Sequence, residues 1–207
     1  MNAGAGEARL LAREYGLEAP VVHGAVDEDG RVGITFDKVY GPTYTQWLIE
    51  HPNWLRRLTE YFAHEQNEVH KHKIPELPRL KDILVERMVA KKELTEAERK
   101  RELERIARMP EGEWTLHMDF VPDSTMVSID GPLYFNWGMA CRGDYLADVA
   151  MSALLMERWE PREDEKESVE VFGDMFRNGY VLDYIKICGR MDEELDAWKD
   201  VLRAVFF

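Results

Sequence analysis

The sequence predicts an α+β fold, in which a small amino-terminal part of helix and strands precedes a larger, mostly helical part. Three observations lead to this prediction. Two β-rich runs flank the turn "DEDG" near the amino terminus, apolar residues recur at helical spacing through most of the rest, and one further pair of strand-like runs interrupts those helices. We therefore expect two units, residues 1–42 and residues 43–207.

The amino-terminal unit is predicted to contain one helix and one hairpin. Residues 6–16, "GEARLLAREYG", have the spacing of a short amphipathic helix that ends at Gly16. The segment "APVVHGAVDEDGRVGITFDKVYG" follows, and the Asp-Gly pair between its two β-rich runs is typical of a tight hairpin turn. Gly41 and Pro42 end this unit.

The carboxy-terminal unit is predicted to be helical. Thr95 and Glu98 have the spacing of a capping box at the start of a highly charged helix. Five other segments have apolar residues at intervals of three and four, which predicts amphipathic helices. Their apolar stripes comprise Trp54, Leu55, Leu58, Tyr61, Phe62 and Val69; Leu80, Ile83, Leu84 and Met88; Leu146, Val149, Ala150, Ala153 and Leu154; Phe172, Phe176, Tyr180, Tyr184 and Ile187; and Leu195, Trp198, Val201 and Leu202.

We expect the functional site in residues 114–137, "WTLHMDFVPDSTMVSIDGPLYFNW". Its second half, "TMVSIDGPLYFNW", predicts a hairpin that turns at Asp130 and Gly131. The loop before this hairpin places His117 two residues before Asp119, and loops on a rigid scaffold often carry function. Taken alone, Asp119 is more typical of a carboxylate that caps a helix or turn, and His117 is more typical of a structural loop residue than of a general base.

The charge balance argues against a nucleic-acid partner. The net charge is −13, from 27 basic and 40 acidic residues, whereas nucleic-acid binding needs a concentrated basic face. The one dense basic run, "KKELTEAERKRELERIAR", interleaves Lys and Arg with Glu, as on a solvated helix face. No signal-peptide pattern and no run of 18 apolar residues occurs, so we expect a cytoplasmic protein that does not enter a membrane.

The cysteines and histidines predict neither a disulfide nor a metal site. Cys141 and Cys188 are far apart, without a CxxC pattern or a histidine at the spacing of a nucleophile pair. The run "HEQNEVHKH" is not HExxH, because Glu68 stands four residues after His64. His70 and His72 would point to different sides of a helix, so a structural zinc site is not expected.

Four segments together resemble one family. "MPEGEWTLHMDFVPDSTMV" is similar to LPxGxxLCHGDFHPxNIL, and "YFNWGMACRGDYLADVAMSALL" to IDWxxAxxGDPxxDVAxTxLL, which are adjoining segments of the aminoglycoside phosphotransferase and choline kinase family. "APVVHGAVDEDGRVGITFDKVYGPT" resembles the family's strand pair before the hinge between lobes, and "PNWLRRLTEYFAHEQNEVHKHKIPELPRLK" its helix before the substrate region. The resemblance extends from Glu7 to Leu202.

The resemblance implies a protein-kinase-like fold, with ATP and Mg²⁺ as cofactors and a small-molecule hydroxyl as the phosphoryl acceptor. Asp119 matches the family's catalytic Asp, which accepts or orients the substrate proton, and His117 matches the His that opens the motif. Asp144 and Asp148 match the acidic positions that help to hold the catalytic loop in place.

The sequence departs from the family at both metal-binding positions. Ser124 stands in place of the family's metal-binding Asn, and Asn136 in place of its metal-binding Asp. Mg²⁺ prefers anionic oxygen ligands, and neither replacement carries a charge. In addition, Met118 replaces the Gly after the first His of the motif, and Val121 replaces the second His.

The nucleotide-anchoring residues of the family are also incompletely matched. No Lys occurs before Lys38, and the last residues, "RAVFF", end within a predicted helix. We therefore expect a family member trimmed at both ends, without the phosphate-covering loop and its Lys-bearing strand. Glu7 matches the Glu that pairs with that Lys, and Glu14 is the alternative. Lys38 and Val39, before the hinge, complete the nucleotide-binding residues that the resemblance implies.

Two functions therefore stay open. The first is ATP-dependent phosphoryl transfer to a small-molecule hydroxyl, impaired by the changed metal positions. The second is a non-catalytic, pseudokinase-like relative that acts as a binding or regulatory module. The acidic residues in 157–170 suit a cationic acceptor, and equally a solvated loop. A strand edge left by a missing amino-terminal sheet would favour a homodimer.

Overall fold

The computed structural model describes residues 3–28, 31–128, 131–160, 162–163 and 165–207. The helices are α1 (Ala3–Glu14), α2 (Tyr44–Glu50), α3 (Leu55–Lys71), α4 (Leu80–Ala90), α5 (Glu96–Arg108), α6 (Tyr145–Glu157), α7 (Lys166–Cys188) and α8 (Asp192–Phe206). The strands are β1 (Val22–Glu28), β2 (Arg31–Phe36), β3 (Trp114–Leu116), β4 (Thr125–Ser128), β5 (Gly131–Tyr134) and β6 (Cys141–Gly143).

The amino-terminal helix and hairpin are confirmed. Helix α1 is followed by Gly16, whose φ of 86° is a left-handed conformation that glycine adopts without strain. Strands β1 and β2 pair antiparallel, with Val22 opposite Phe36. Residues 29 and 30 of the "DEDG" turn lie outside the described residues. The division into residues 1–42 and 43–207 stays a prediction.

The connection out of β2 lies against the second hairpin. The backbone of Gly41 has a φ of 147°, and a side chain there would place its Cβ 2.2 Å from the carbonyl oxygen of Val127 in β4. The N–H of Val127 donates to the carbonyl of Pro42 at 2.9 Å. The connection between the strands of residues 1–42 and the helices that follow is therefore held against the hairpin that carries the expected site.

The helical part has a dense aromatic core. Helix α3 packs against α7, and α6 packs against α8. The ring of Phe62 on α3 contacts those of Phe176 and Tyr180 on α7, at centroid distances of 5.4 and 5.2 Å. The predicted helices are confirmed, including the capping box that starts α5. Among the described residues, no helix is long and apolar enough to cross a membrane.

The second hairpin is confirmed, and a further strand pair was not predicted. Strands β4 and β5 pair antiparallel, with the turn residue Asp130 outside the described residues. Strand β3 pairs with β6, from Trp114 opposite Gly143 to Leu116 opposite Cys141. Each of these strands is three residues long, too short for a period-two pattern to reveal. Together the two pairs hold both ends of the loop that carries Asp119.

Candidate active site

The site is built on the loop of residues 117–124, between β3 and β4. The ring of Phe120 lies 4.7 Å from that of Phe62, so the middle of the loop is anchored in the helical core. Met118 is fully buried and has a φ of 63°, a left-handed conformation that costs a non-glycine residue free energy. The loop therefore has one defined conformation, which the contacts around it must maintain.

Asp148 on α6 supplies much of that support. Its carboxylate accepts the backbone N–H of His117 at 2.9 Å and that of Met118 at 2.6 Å. It is completely buried, which by itself raises the pKa of the Asp148 carboxyl. The hydrogen bond and charge of His70 act in the opposite direction and bring this pKa below its ordinary value. Asp148 is therefore an ionised, buried anchor of the loop.

His70 extends the anchor to two further helices. Its Nε2 lies 2.9 Å from the Asp148 carboxylate, which can only accept, so Nε2 carries the proton. Its Nδ1 is hydrogen-bonded to the hydroxyl of Tyr184 on α7. One buried network thus connects the loop to α3, α6 and α7, and such networks fix side-chain and backbone positions together.

His117 faces the interior. The N–H of Asp119 donates to its Nδ1 at 3.2 Å, and its ring packs edge-on against those of Phe120 and Trp137. Burial is the main cause that lowers the pKa of His117 to about 4, so the imidazole is neutral at pH 7. In this position His117 supports the backbone of Asp119 and interacts with the backbone of Phe135.

Asp119 is the partly exposed carboxylate of the loop. Burial is the larger cause that raises its pKa to about 6, and the negative charge of Asp148 adds to the shift. A hydrogen bond from the side chain of Asn136 opposes it. A carboxyl whose pKa lies just below neutrality is mostly ionised at pH 7 and still able to accept a proton, as a general base requires.

Asn136 is the second residue that the structure brings to Asp119. It follows β5 with φ 61° and ψ 38°, a left-handed conformation that Asn tolerates better than most residues. This backbone turn precedes the short helix Trp137–Met139 and directs the amide of Asn136 towards Asp119. Asp119 and Asn136, seventeen residues apart in sequence, therefore form the polar centre of the site.

Ser124 has a different role in the structure. Its buried hydroxyl oxygen accepts the N–H of Val121 at 3.0 Å and lies within hydrogen-bond distance of the carbonyls of Asp119 and Val121. These contacts close the loop with the short helix Pro122–Ser124. The hydroxyl is thus occupied by the loop's own backbone.

The available ligands fit Mg²⁺ poorly. Asp119 offers one carboxylate and Asn136 one neutral amide oxygen, while the hydroxyl of Ser124 is already hydrogen-bonded. Within the described ranges, no group of three or more His, Cys, Asp or Glu side chains is placed to hold a metal ion. These residues do not reproduce the anionic oxygen ligands that Mg²⁺ prefers.

Asp144 stabilises the helix that carries Asp148. It caps the first turn of α6 by accepting the N–H of Leu146 at 3.1 Å, and it is almost completely buried. Arg190 donates to its carboxylate at 2.6 Å and Trp198 at 3.2 Å. These contacts join α6 to α8 and lie outside the loop, so Asp144 contributes to the site through the position of α6.

The remaining predicted residues lie away from this centre. Glu7 is exposed on α1 and lines a groove of about 300 Å³ with Gly138 and Ala140, which follow Asn136. Glu14, the alternative, is also exposed. Lys38 lies over the ring of Tyr40 at 5.0 Å, in the irregular segment after β2. No contact between Lys38 and Asp119 is found among the described residues.

Two further features were missed by the sequence reasoning. Tyr134 at the end of β5 donates to Glu65 on α3, a half-buried carboxyl whose pKa is raised mainly by burial. Arg9 on α1 is nine-tenths buried, with its guanidinium 4.6 Å from the centre of the Phe36 ring. The one signal for Arg9 is its position between Ala8 and Ala12 on the buried side of α1.

An acidic pocket borders the loop. The indole of Trp159 donates to the carboxylate of Asp123 at 2.9 Å, and Trp159 is also part of the wall of a pocket of about 470 Å³. The pocket lies between the end of α6 and the start of α7. Its charged lining residues are Glu157, Glu160, Glu163, Lys166, Glu170 and Asp174.

Comparison with known proteins identifies the family and the fold of the chain. The profile described as "Phosphotransferase enzyme family" matches residues 6–184. The structure is similar to that of aminoglycoside-3'-phosphotransferase of type VIII, with a TM-score of 0.67 and 16% identity, over 98% of this chain and 79% of that one. No curated protein matches the sequence.

A second similar structure is a thermostable mutant of aminoglycoside phosphotransferase APH(4)-Ia in a ternary complex with AMP-PNP and hygromycin B. Its TM-score is 0.57 and its identity 12%, over 97% of this chain and 82% of that one. At these identities the two structures establish the protein-kinase-like fold of aminoglycoside phosphotransferases. Since the family profile spans most of the sequence, the chain belongs to the phosphotransferase enzyme family.

Proposed function

We propose that this protein transfers a phosphoryl group from ATP to the hydroxyl of a small molecule, at a rate limited by its changed metal positions. The observation that carries the proposal is the Asp119 carboxyl, which has a pKa of about 6 on a loop fixed by Asp148. Phosphoryl transfer needs a group in this position to orient the hydroxyl and take its proton.

The described contacts support a role for these residues in proton transfer. Asp119 accepts the hydroxyl proton, and His117 holds the backbone of Asp119 through the bond to its N–H. Asp148 keeps the loop in place and, by its charge, makes Asp119 a stronger proton acceptor. Asn136 donates to Asp119 and limits that shift, so Asp119 stays mostly ionised at pH 7.

The part of the site that would stabilise the charge of the transferring phosphoryl group is weak. The transferring phosphoryl group needs positive charge near its oxygens, which a metal ion supplies in related reactions. Because Ser124 and Asn136 are neutral, the formal charge expected at those positions is missing. One charged ligand is lost and one neutral ligand is changed; if each weakened ligand costs about 1.5–3 kcal/mol, the two together reduce the rate by roughly two to four orders of magnitude.

We propose a cationic acceptor that binds in the acidic pocket. The pocket has five carboxylates and one lysine, and Trp159 connects it to the loop of Asp119 through Asp123. One similar structure, that of an aminoglycoside phosphotransferase, is a ternary complex with AMP-PNP and hygromycin B. A molecule that carries several amino groups and hydroxyls would match both the charge of this pocket and the chemistry of Asp119.

The test is transfer of labelled γ-phosphoryl from ATP to hygromycin B, other aminoglycosides and choline. We expect slow transfer by the wild type, loss of at least a hundredfold in Asp119→Asn, and a faster reaction with Mg²⁺ in Asn136→Asp. Asp196→Asn, an exposed change on α8, is the matched control. Equal transfer by the wild type and Asp119→Asn would contradict the proposal.

A second function is favoured by the contacts of Ser124. Because its hydroxyl is hydrogen-bonded to the loop's own backbone, the site suits a non-catalytic module that binds a nucleotide or polar ligand without turnover. ATP binding with no transfer to any acceptor, in the wild type and in Asn136→Asp, would support this alternative over the first.

We further propose that the protein forms a homodimer through the exposed edges of the β1–β2 pair. Each strand of this pair has one partner among the described residues, which leaves an edge on either side. Light scattering at two protein concentrations would show twice the monomer mass. A monomer at both concentrations would contradict this proposal and leave the phosphoryl-transfer proposal unaffected.

A further inference from the structure

Arg9 is a buried cation without an anionic partner. Only 9% of its surface is exposed, and its Nε has no hydrogen-bond partner among the described residues. No carboxylate in those parts of the chain forms an ion pair with it. Burying a charge without a partner is unfavourable, and burial lowers the pKa of the Arg9 guanidinium. A cation held in this way is best explained by an anion that binds there.

The aromatic contact of Arg9 does not replace such an anion. The guanidinium carbon lies 4.6 Å from the centre of the Phe36 ring, which satisfies one face of the planar group. The N–H groups lie around the edge of that plane and need acceptors of their own. Stacking on Phe36 therefore orients the guanidinium and leaves its edge available for hydrogen bonds to an oxyanion.

Arg9 lies on the Asn136 side of the site. The ring of Phe36 contacts that of Phe135 at 6.3 Å, and Phe135 directly precedes Asn136 in the chain. Helix α1 also packs against the short helix Trp137–Met139 on the other side of Asn136. The positive charge of Arg9 is close enough to contribute to the lowered pKa of His117.

We propose that Arg9 binds the phosphate groups of the nucleotide directly, in an anion site that needs no divalent metal ion. The inference rests on the proposed function, because it assigns a residue to the nucleotide of the same reaction. Without Mg²⁺, an Asp in place of Asn136 would put a carboxylate on this side of the site and compete with a phosphate for Arg9. The neutral amide removes that competition and can itself donate to phosphate oxygens. The uncharged Asn136 and the unpaired Arg9 therefore fit one ligand, a phosphate chain.

Calorimetric titration with ATP and with tripolyphosphate, each in EDTA and in Mg²⁺, tests this inference. The variants are Arg9→Met, which removes the charge, and Arg9→Lys, which keeps it. Arg87→Met is the matched control. Arg87 lies on helix α4, and its guanidinium is likewise stacked over an aromatic ring, 4.7 Å from the centre of the Phe206 ring. Thermal unfolding of each variant without ligand shows whether Arg9 has a structural role instead.

We expect the wild type to bind both ligands in EDTA, and Arg9→Met to bind them roughly tenfold to a hundredfold more weakly. Arg9→Lys should keep part of the wild-type affinity for both ligands, and Arg87→Met should keep all of it. Without ligand, Arg9→Met should unfold at the same temperature as the wild type or higher, since it removes an uncompensated buried charge.

The two proposals fail in different ways. Binding that requires Mg²⁺, or unchanged binding by Arg9→Met, would overturn the role of Arg9 and leave the proposed phosphoryl transfer standing. Tripolyphosphate binding that depends on Arg9, together with no transfer from ATP to any acceptor, would support the anion site and reject the transfer. If the wild type binds neither ligand in either buffer, both proposals are wrong.

Discussion

Replacement of Asp148 by Asn should destabilise the whole protein, because it removes the charge that holds the loop of residues 117–124 in place. The carboxylate accepts hydrogen bonds from the N–H groups of His117 and Met118 and from the ring of His70. An amide of the same shape has one accepting oxygen, so at least one buried N–H loses its acceptor. Changing one partner of a buried pair costs about 3–5 kcal/mol, and we expect a loss of that size in the free energy of unfolding.

Urea unfolding at pH 7 measures this loss, provided that the dependence on urea concentration is the same in both proteins. The control is Asp196→Asn, whose side chain is 72% exposed and whose contact with Lys199 is 3.5 Å long. We expect the control to change the free energy of unfolding by less than about 0.5 kcal/mol. A loss under about 1 kcal/mol in Asp148→Asn would refute the view that Asp148 anchors the loop.

The effect of Asp148 should also depend on pH. The pKa of its carboxyl is lowered in the folded protein relative to the ordinary value of 3.8. Its stabilisation is therefore fully present above that value, and it is lost as the pH falls through the lower pKa of the folded state. The difference between wild type and Asp148→Asn should accordingly shrink in acid, and a constant difference down to pH 2 would contradict this reasoning.

Three further predictions concern neighbouring residues. The pKa of Asp119 is raised from 3.8 to about 6, so replacing its carboxylate should stabilise the folded protein where that carboxylate is ionised. We expect Asp119→Asn to gain on the order of 1 kcal/mol above pH 6, after solvent screening, and nothing below pH 4. Thermal unfolding at both pH values checks this. Asn136→Asp places a second carboxylate beside Asp119 and should raise the pKa of Asp119 further in EDTA, which carbon-detected NMR titration would show; an unchanged pKa would place the two groups apart. Arg190→Met leaves the buried Asp144 carboxylate with fewer partners, so the free energy of unfolding in urea should fall by about 2–4 kcal/mol. The fluorescence of Trp198, which also donates to Asp144, should change. Wild-type stability would contradict the role given to the Arg190–Asp144 ion pair.

The elements that could be predicted from sequence are those with a local signal. The 3.6-residue period of α3 and the Thr95–Glu98 capping box depend on neighbours along the chain, and both are present in the structure. The β3–β6 pair could not be predicted, because three-residue strands have no period of their own and form only when Trp114–Leu116 meets Cys141–Gly143 in space. The close approach of Gly41 to Val127 was not anticipated either, because it too joins segments that are far apart in the chain.

The roles predicted for the site residues stay predictions, and the contacts between these residues could not be predicted from the sequence. The motif resemblance singled out Asp119, Asp148 and Asn136, which the structure connects through the loop and one side-chain hydrogen bond. It also showed that Ser124 has no charge, but not that its hydroxyl closes the loop. Arg9 was missed because a charged residue in a short amphipathic helix is expected to face solvent, and its burial depends on Phe36 and on the packing of α1.

The proposed function makes Asp119 the proton acceptor of a slow phosphoryl transfer. The most direct measurement is the rate of γ-phosphoryl transfer from ATP, between pH 4.5 and 8, to the acceptor that reacts fastest in the panel. We predict a rate that rises with an apparent pKa of about 6 in the wild type, and no such rise in Asp119→Asn. The same rate in both proteins across the pH range would show that Asp119 takes no proton in this reaction.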